Sequence, residues 1–131
     1  MMEKNFVVRD AVAVVVDGQY FDLHNEFDLC EIKALLGEGR VILRFQRSGS
    51  AYHTQMFLDI SEVSYFSLNS PASALHSRDV IEIGYKNPDD FDHDWLLPEA
   101  NASPEDHLFI RLSSDDFIRI HGSQAQMLTS E

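Results

Sequence analysis

The segment "AVAVVVDGQYFDL" (residues 11–23) admits few folds. Its valines are stiff at χ1 and suit a pleated surface, and they run directly into Asp17-Gly18. A type I′ turn needs positive φ at both central residues, which Asp-Gly supplies more readily than almost any other pair. A hairpin is therefore expected, with strands over 11–16 and 19–23. The same two-residue period recurs along the chain. Val41, Leu43 and Phe45 alternate with Arg40 and Arg44 in "RVILRF". Strands are expected over 52–60, 62–68 and 79–85, the last with Ile81, Ile83 and Tyr85 on one face. Two more are expected in "HLFIRL" (107–112) and "DFIRIHG" (116–122), joined by a tight turn at Ser113-Ser114-Asp115. There Leu108, Ile110, Leu112, Ile118 and Ile120 should point inward, and Arg111, Arg119 and His121 outward.

One piece reads two ways. Residues 27–36 form a helix if Asp28 caps it, Glu31 completes a capping box and Gly37 stops it. They form a strand if Cys30, Ile32, Ala34 and Leu36 face one way and Glu31 and Lys33 the other. The strand fits better, because Gly37-Glu38-Gly39 then turns into "RVILRF" and 27–47 becomes one hairpin. Glu31 and Lys33 would lie near Arg40 and Arg44 as cross-strand charge pairs. Residues 69–74 read as a loop, and "SQAQMLTSE" as a fraying end or one helical turn. The expectation is all-β: a single domain over 1–131, an antiparallel sandwich or flattened barrel of about eight strands, with little helix.

Charge narrows the function classes. Twenty-two acids face ten bases, for a net charge of −12. Such a surface repels phosphate backbones and anionic membranes, so neither nucleic acid nor a membrane is an expected partner. It attracts a basic one. Cys30 is the only cysteine and cannot form an internal disulfide. "FVVRDAVAVVV" is broken by Arg9 and Asp10 and is too short to span a bilayer, and no leader opens the chain, so a cytoplasmic protein is expected.

The acids concentrate. From Asn87 to Asp106 there are seven acidic residues, no Lys or Arg, and three prolines that deny a regular ladder. Its first half, "NPDDFDHDWLLPE", adds Phe91, His93 and the only tryptophan, Trp95. Asp90, Asp92 and Asp94 occupy the first, third and fifth places of an EF-hand-like loop. The pattern then fails, with Trp95 where the turn needs glycine and Asn101 where a bidentate glutamate belongs. His24, His53, His76, His93, His107 and His121 show no metal-ligand spacing. No metal and no cofactor is expected. As a binding surface the stretch makes sense: Phe91 and Trp95 supply an apolar anchor, while Asp89, Asp90, Asp92 and Asp94 steer a cationic partner. The plainer alternative is that both rings tuck under the loop and pin it to the sheet.

Catalytic patterns are thin. There is no G-x-S-x-G, no Gly-rich phosphate loop, no H-E-x-x-H and no C-x-x-C. Asp22 and His24, at i and i+2, could orient a general base, and with Arg119 and His121 they would line a shallow polar cleft. That cleft is the alternative site, in a small enzyme or a ligand-binding barrel. Self-association through exposed sheet edges is a third possibility.

The order of "YFDLHNEFDLCEIKALLGEGRVILRF", "MFLDISEVSYFSL" and "HLFIRLSSDDFIRIHG" resembles the layout of small bacterial β-rich families, some of them immunity proteins of polymorphic toxin systems. Those families begin with an aromatic-His-Asp signature; here the residues are Leu23-His24-Asn25, and no functional residue carries over. The resemblance implies a binding role without catalysis: an acidic immunity or inhibitor protein for a basic toxin or enzyme.

Overall fold

The computed structural model describes residues 2–48, 54–69, 78–113 and 116–130. The loop expected at 69–74 lies outside them beyond Asn69, as do His53, His76 and most of the 113–115 turn. Among the described residues the chain forms strands β1 (Glu3–Lys4), β2 (Phe6–Arg9), β3 (Ala13–Val16), β4 (Gln19–Asp22), β5 (Phe27–Leu35), β6 (Arg40–Arg47), β7 (Gln55–Ser61), β8 (Tyr65–Asn69), β9 (Arg78–Lys86), β10 (His107–Leu112), β11 (Phe117–His121) and β12 (Gln124–Ser130). Helix is confined to 3₁₀ turns such as Leu36–Glu38 and Glu99–Asn101. No described helix is long and apolar enough to cross a membrane.

The Asp17-Gly18 turn forms as its residues dictate, with φ of 51° and 80°, and pairs β3 with β4. A third strand precedes them. β2 pairs β3 around Asp10 and Ala11, both at positive φ, so the opening unit is a three-stranded meander. The other nine strands follow the order β1-β12-β7-β6-β5-β9-β10-β11-β8. All pairings are antiparallel except β1 beside β12. The order does not close on itself. β5 and β9 meet through only two residue pairs, Asp28 with Asp79 and Leu29 with Arg78. On either side of that seam the inward residues share one core: Val41, Leu43, Phe45, Met56, Leu58 and Ile60 from one half, and Ile83, Leu108, Ile110, Ile118 and Ile120 from the other. This is a sandwich rather than a barrel. The meander adds Phe6, Val14, Phe21 and Leu23 to the same core.

Residues 27–35 are a strand, and β5–β6 is the expected hairpin. Its facing is corrected by a bulge between Leu29 and Glu31. Phe27 and Leu29 are buried before it, Ile32 packs on the core after it, and Cys30 absorbs the change of parity. Glu31 pairs with Arg44 at 3.6 Å as expected, whereas Arg40 forms a two-pronged pair with Asp59 at 2.9 and 2.6 Å. A second irregularity between β9 and β10 places Val80 inside with Ile83 and Tyr85, and leaves Ile81 facing solvent. The C-terminal residues form neither a frayed end nor a helical turn. β12 pairs β7 over seven residues, with Ala125 and Met127 inside.

Candidate functional site: an acidic strap on the outer sheet face

The outer face of β9, β10, β11 and β8 is unusual for a solvated sheet surface. It carries Lys86, His107, Phe109 and Arg119, all buried, and these would be costly to cover unless each polar group found a partner. The cover is the acidic stretch. After β9 the chain turns at Asn87 and runs back across the sheet until Leu97 forms a two-way backbone bridge with Tyr85, at 2.8 and 3.0 Å.

The local fold of this strap comes from its Asx residues, which hydrogen-bond amides two positions on. The Asp89 amide donates to Asn87, the Asp92 amide to Asp90 and the Asp94 amide to Asp92, each at 2.9 Å. Between them, Phe91, His93 and Trp95 lay their rings on the sheet. His93 packs against the stacked rings of Phe109 and Phe117, with centroids 5.0 and 4.3 Å away. Phe91 lies over the Arg119 guanidinium at 5.1 Å and Trp95 over the Lys86 ammonium at 4.4 Å.

Arg119 is the anchor. Only 1% exposed, it donates through Nη1 to the Asp90 carbonyl (2.6 Å), through Nη2 to the Asn87 carbonyl (3.0 Å), and through Nε to His107 Nδ1 (2.9 Å). The accepted proton fixes His107 as the Nε2–H tautomer. Burial and the Arg119 charge push this imidazole down to about 4, with His121 adding to the effect. Burial and the charges of Arg119, Lys86 and Arg111 lower His93 as well. Arg111 donates to the His93 carbonyl, and Lys86 pairs with Asp90 at 3.4 Å. The Asp90 carboxyl sits below its usual range through the Asp92 amide and the nearby Lys86 and Arg119.

The strap residues singled out in the sequence thus divide. Asp90 turns toward the sheet and is half-buried, while Asp89, Asp92 and Asp94 face solvent. Phe91 and Trp95 do both things at once, resting on cations yet remaining 68% and 55% exposed. Among the described residues no group of three or more His, Cys, Asp or Glu is placed to hold a metal ion.

The alternative site is distributed differently. β4 ends at Asp22, and its carboxylate accepts the His24 amide, the Asn25 amide and the Asn25 side chain at 3.0, 2.9 and 2.8 Å. Partial burial works to raise this carboxyl, and the hydrogen bonds outweigh it, leaving it below its usual value. The His24 ring turns away, with Nδ1 2.6 Å from the Val80 carbonyl. His121 lies between the Ser64 hydroxyl (2.9 Å) and the Pro104 carbonyl (3.1 Å), and Arg119 lies beneath the strap. No hydrogen bond, ion pair or ring contact joins Asp22 or His24 to Arg119 or His121 among the described residues.

Sequence reasoning missed Lys86, Arg111, His107, Phe109 and Phe117 as parts of this site. A signal was present: Leu108-Phe109-Ile110 is an unbroken apolar run, the mark of a strand covered on both faces. The chain matches no protein-family model, and comparison with curated proteins and with solved structures likewise gives no match.

Proposed function

We propose that this protein is a small acidic protein-binding module whose contact surface is the strap, with Phe91 and Trp95 as anchors and Asp89, Asp92 and Asp94 as the charged rim. One observation carries the reading: two large aromatic rings remain mostly exposed on a segment that is otherwise tightly fastened. An aromatic held in place by a cation beneath it loses little side-chain freedom when a partner covers its other face, so its apolar area contributes to affinity with a small ordering cost. The aspartates around the rings favour a basic partner and set its register. The resemblance of the sequence's layout to immunity proteins adds one kind of partner to this reading, a basic toxin or enzyme that the module would block. No Lys or Arg of its own breaks the acidic rim within 87–106.

The test starts with a partner captured from the native host at low salt and then purified. Its affinity is measured for the wild type, for Phe91→Ala/Trp95→Ala and for Asp92→Asn/Asp94→Asn. Loss of the rings should raise Kd by about two orders of magnitude, as for central anchors, chiefly through faster dissociation. Loss of the acids should slow association. A partner that binds the ring-deleted variant as tightly as the wild type would rule out this surface.

A further inference from the structure

The trailing half of the acidic segment builds a separate feature. Residues 98–106 turn back toward the N-terminal strand and, with Met2, Lys4 and Tyr85, line an open-mouthed pocket of about 160 Å³. Three of its polar groups satisfy one another. Lys4 donates to the Tyr85 hydroxyl and to Glu99 Oε2, the latter at 2.6 Å. Tyr85 donates to Glu99 Oε1 at 2.6 Å, and the Val8 amide reaches the same oxygen at 2.8 Å. Together the three groups carry no net charge.

Asp106 is different. It lines the same pocket and is only 3% exposed. Its Oδ2 accepts the Ser103 amide at 2.8 Å, and no ion pair reaches it among the described residues. No fully enclosed side-chain polar atom of the described residues lacks a partner, so the remaining oxygen keeps some access to open space, and Asp106 is part of the pocket wall. The His107 ring next in sequence accepts from Arg119 through Nδ1, and no hydrogen bond joins it to Asp106 among the described residues. A carboxylate this deeply set normally has a counter-charge or a full set of hydrogen bonds. Asp106 has one amide and an open space.

We infer that this pocket receives one small organic cation, a primary ammonium or a guanidinium, whose N–H groups donate to the free oxygen of Asp106. The size agrees. Pockets for drug-sized ligands run to about 300–1,000 Å³, so this one suits a single head group and a short alkyl stem. The stem would lie against Met2 and Pro104, which complete the wall. A free amine and a Lys or Arg side chain of a basic partner present the same chemistry. The inference stands apart from the role of the strap, since neither Phe91 nor Trp95 touches the pocket.

The experiment is an amide-resolved NMR titration of the full chain with methylguanidinium and n-butylammonium at constant ionic strength. Tetramethylammonium, a cation without N–H donors, is the control. Saturable shifts are expected at Ser103 and Asp106 with the first two cations and not with the third. Asp106→Asn keeps an acceptor for the Ser103 amide and should weaken binding about tenfold or more, as expected for a hydrogen bond between charged groups. Phe91→Ala/Trp95→Ala should bind these cations as the wild type does, which separates failure here from failure of the strap. Shifts that grow linearly, match those of tetramethylammonium or persist in Asp106→Asn would overturn the inference. A purified partner whose affinity falls in Asp106→Asn assigns the cation to a partner side chain; unchanged partner affinity with saturable amine binding assigns it to a free amine.

Discussion

Arg119 shows how much one side chain can organise. Its guanidinium satisfies carbonyls of Asn87 and Asp90 and the ring of His107, and it supports Phe91 from below. Lysine has the charge but not the fork: its three donors radiate from one nitrogen, whereas the acceptors here are met by three separate nitrogens of one plane. Arg119→Met should therefore cost about 2–4 kcal/mol, because it leaves several buried acceptors unpaired. Urea unfolding measures the loss, and hydrogen exchange at the Asp92 and Asp94 amides should quicken more than exchange in β6. His107 gives the pH counterpart. Folded, it loses its proton only above about 4; unfolded, near 6.5. Between those values the unfolded chain binds more protons, so stability falls as pH drops through that window, by roughly 3 kcal/mol in all. The lowered His93 acts in the same direction. Asp22 and Glu99, both lowered, withdraw their contributions at more acidic pH, as their carboxylates take up protons. An NMR titration of the His107 ring checks the assignment, and His107→Gln should flatten the stability slope between pH 6.5 and 4. A slope unchanged in that variant would place the acid sensitivity elsewhere.

At the scale of elements, the strap depends on closeness to β9. A Cβ added at Gly84 would lie 2.8 Å from Leu96 Cβ and 2.9 Å from the Leu97 carbonyl, so glycine is required there by proximity to another backbone. Gly84→Ala should push the strap off the sheet at a cost of about 1–3 kcal/mol. The Trp95 emission should shift to the red while the far-ultraviolet signature of the sheet persists. An unchanged emission spectrum would mean that the strap does not need this approach. Gly84 also shows where reading the sequence stops. Hairpins were legible because their determinants are local: Asp17-Gly18 holds its own turn, and Gly37 to Gly39 separates two runs of the right period. Parity changes were not legible, because the bulge at Cys30 and the shift beside Ile81 arise from pairing with distant strands. β12 was missed because Gln, Thr and Ser dilute the pattern, although Ala125 and Met127 kept the period. At the site, composition left Phe91 and Trp95 either exposed or tucked under the loop, and only their prominence followed from it. The cations beneath them did not, since nothing in the sequence sets Lys86 and Arg119 apart from ordinary sheet residues until a covering segment is known.

Taken whole, the molecule pairs most of its bases with acids and leaves an excess of acids at the surface. Of the ten bases, Lys4, Arg40, Arg44, Arg47, Lys86 and Arg111 each sit within ion-pair distance of an acid. Arg119 is buried among carbonyls and rings. Most of the bases are thus neutralised by acids close to them, and Asp89, Asp92 and Asp94 stand in solvent with no base in their own segment. The net charge of −12 is therefore expressed at the surface, and ionic strength should act on it in two opposite ways. In the free protein the acids repel one another, so screening should raise stability, by on the order of 1 kcal/mol from low salt to about 0.2 M, where the Debye length falls below ~10 Å. In association with a basic partner the same screening removes steering, and the on-rate should fall about tenfold or more over that range while dissociation changes little. Thermal unfolding and stopped-flow association, run on one salt series, measure both. A single field accounts for the two trends only if their signs differ. If salt weakens folding and binding together, ion pairs such as Lys4–Glu99 and Arg40–Asp59 outweigh the repulsion among the acids. The surface would then be acidic in composition without being acidic in its long-range effect.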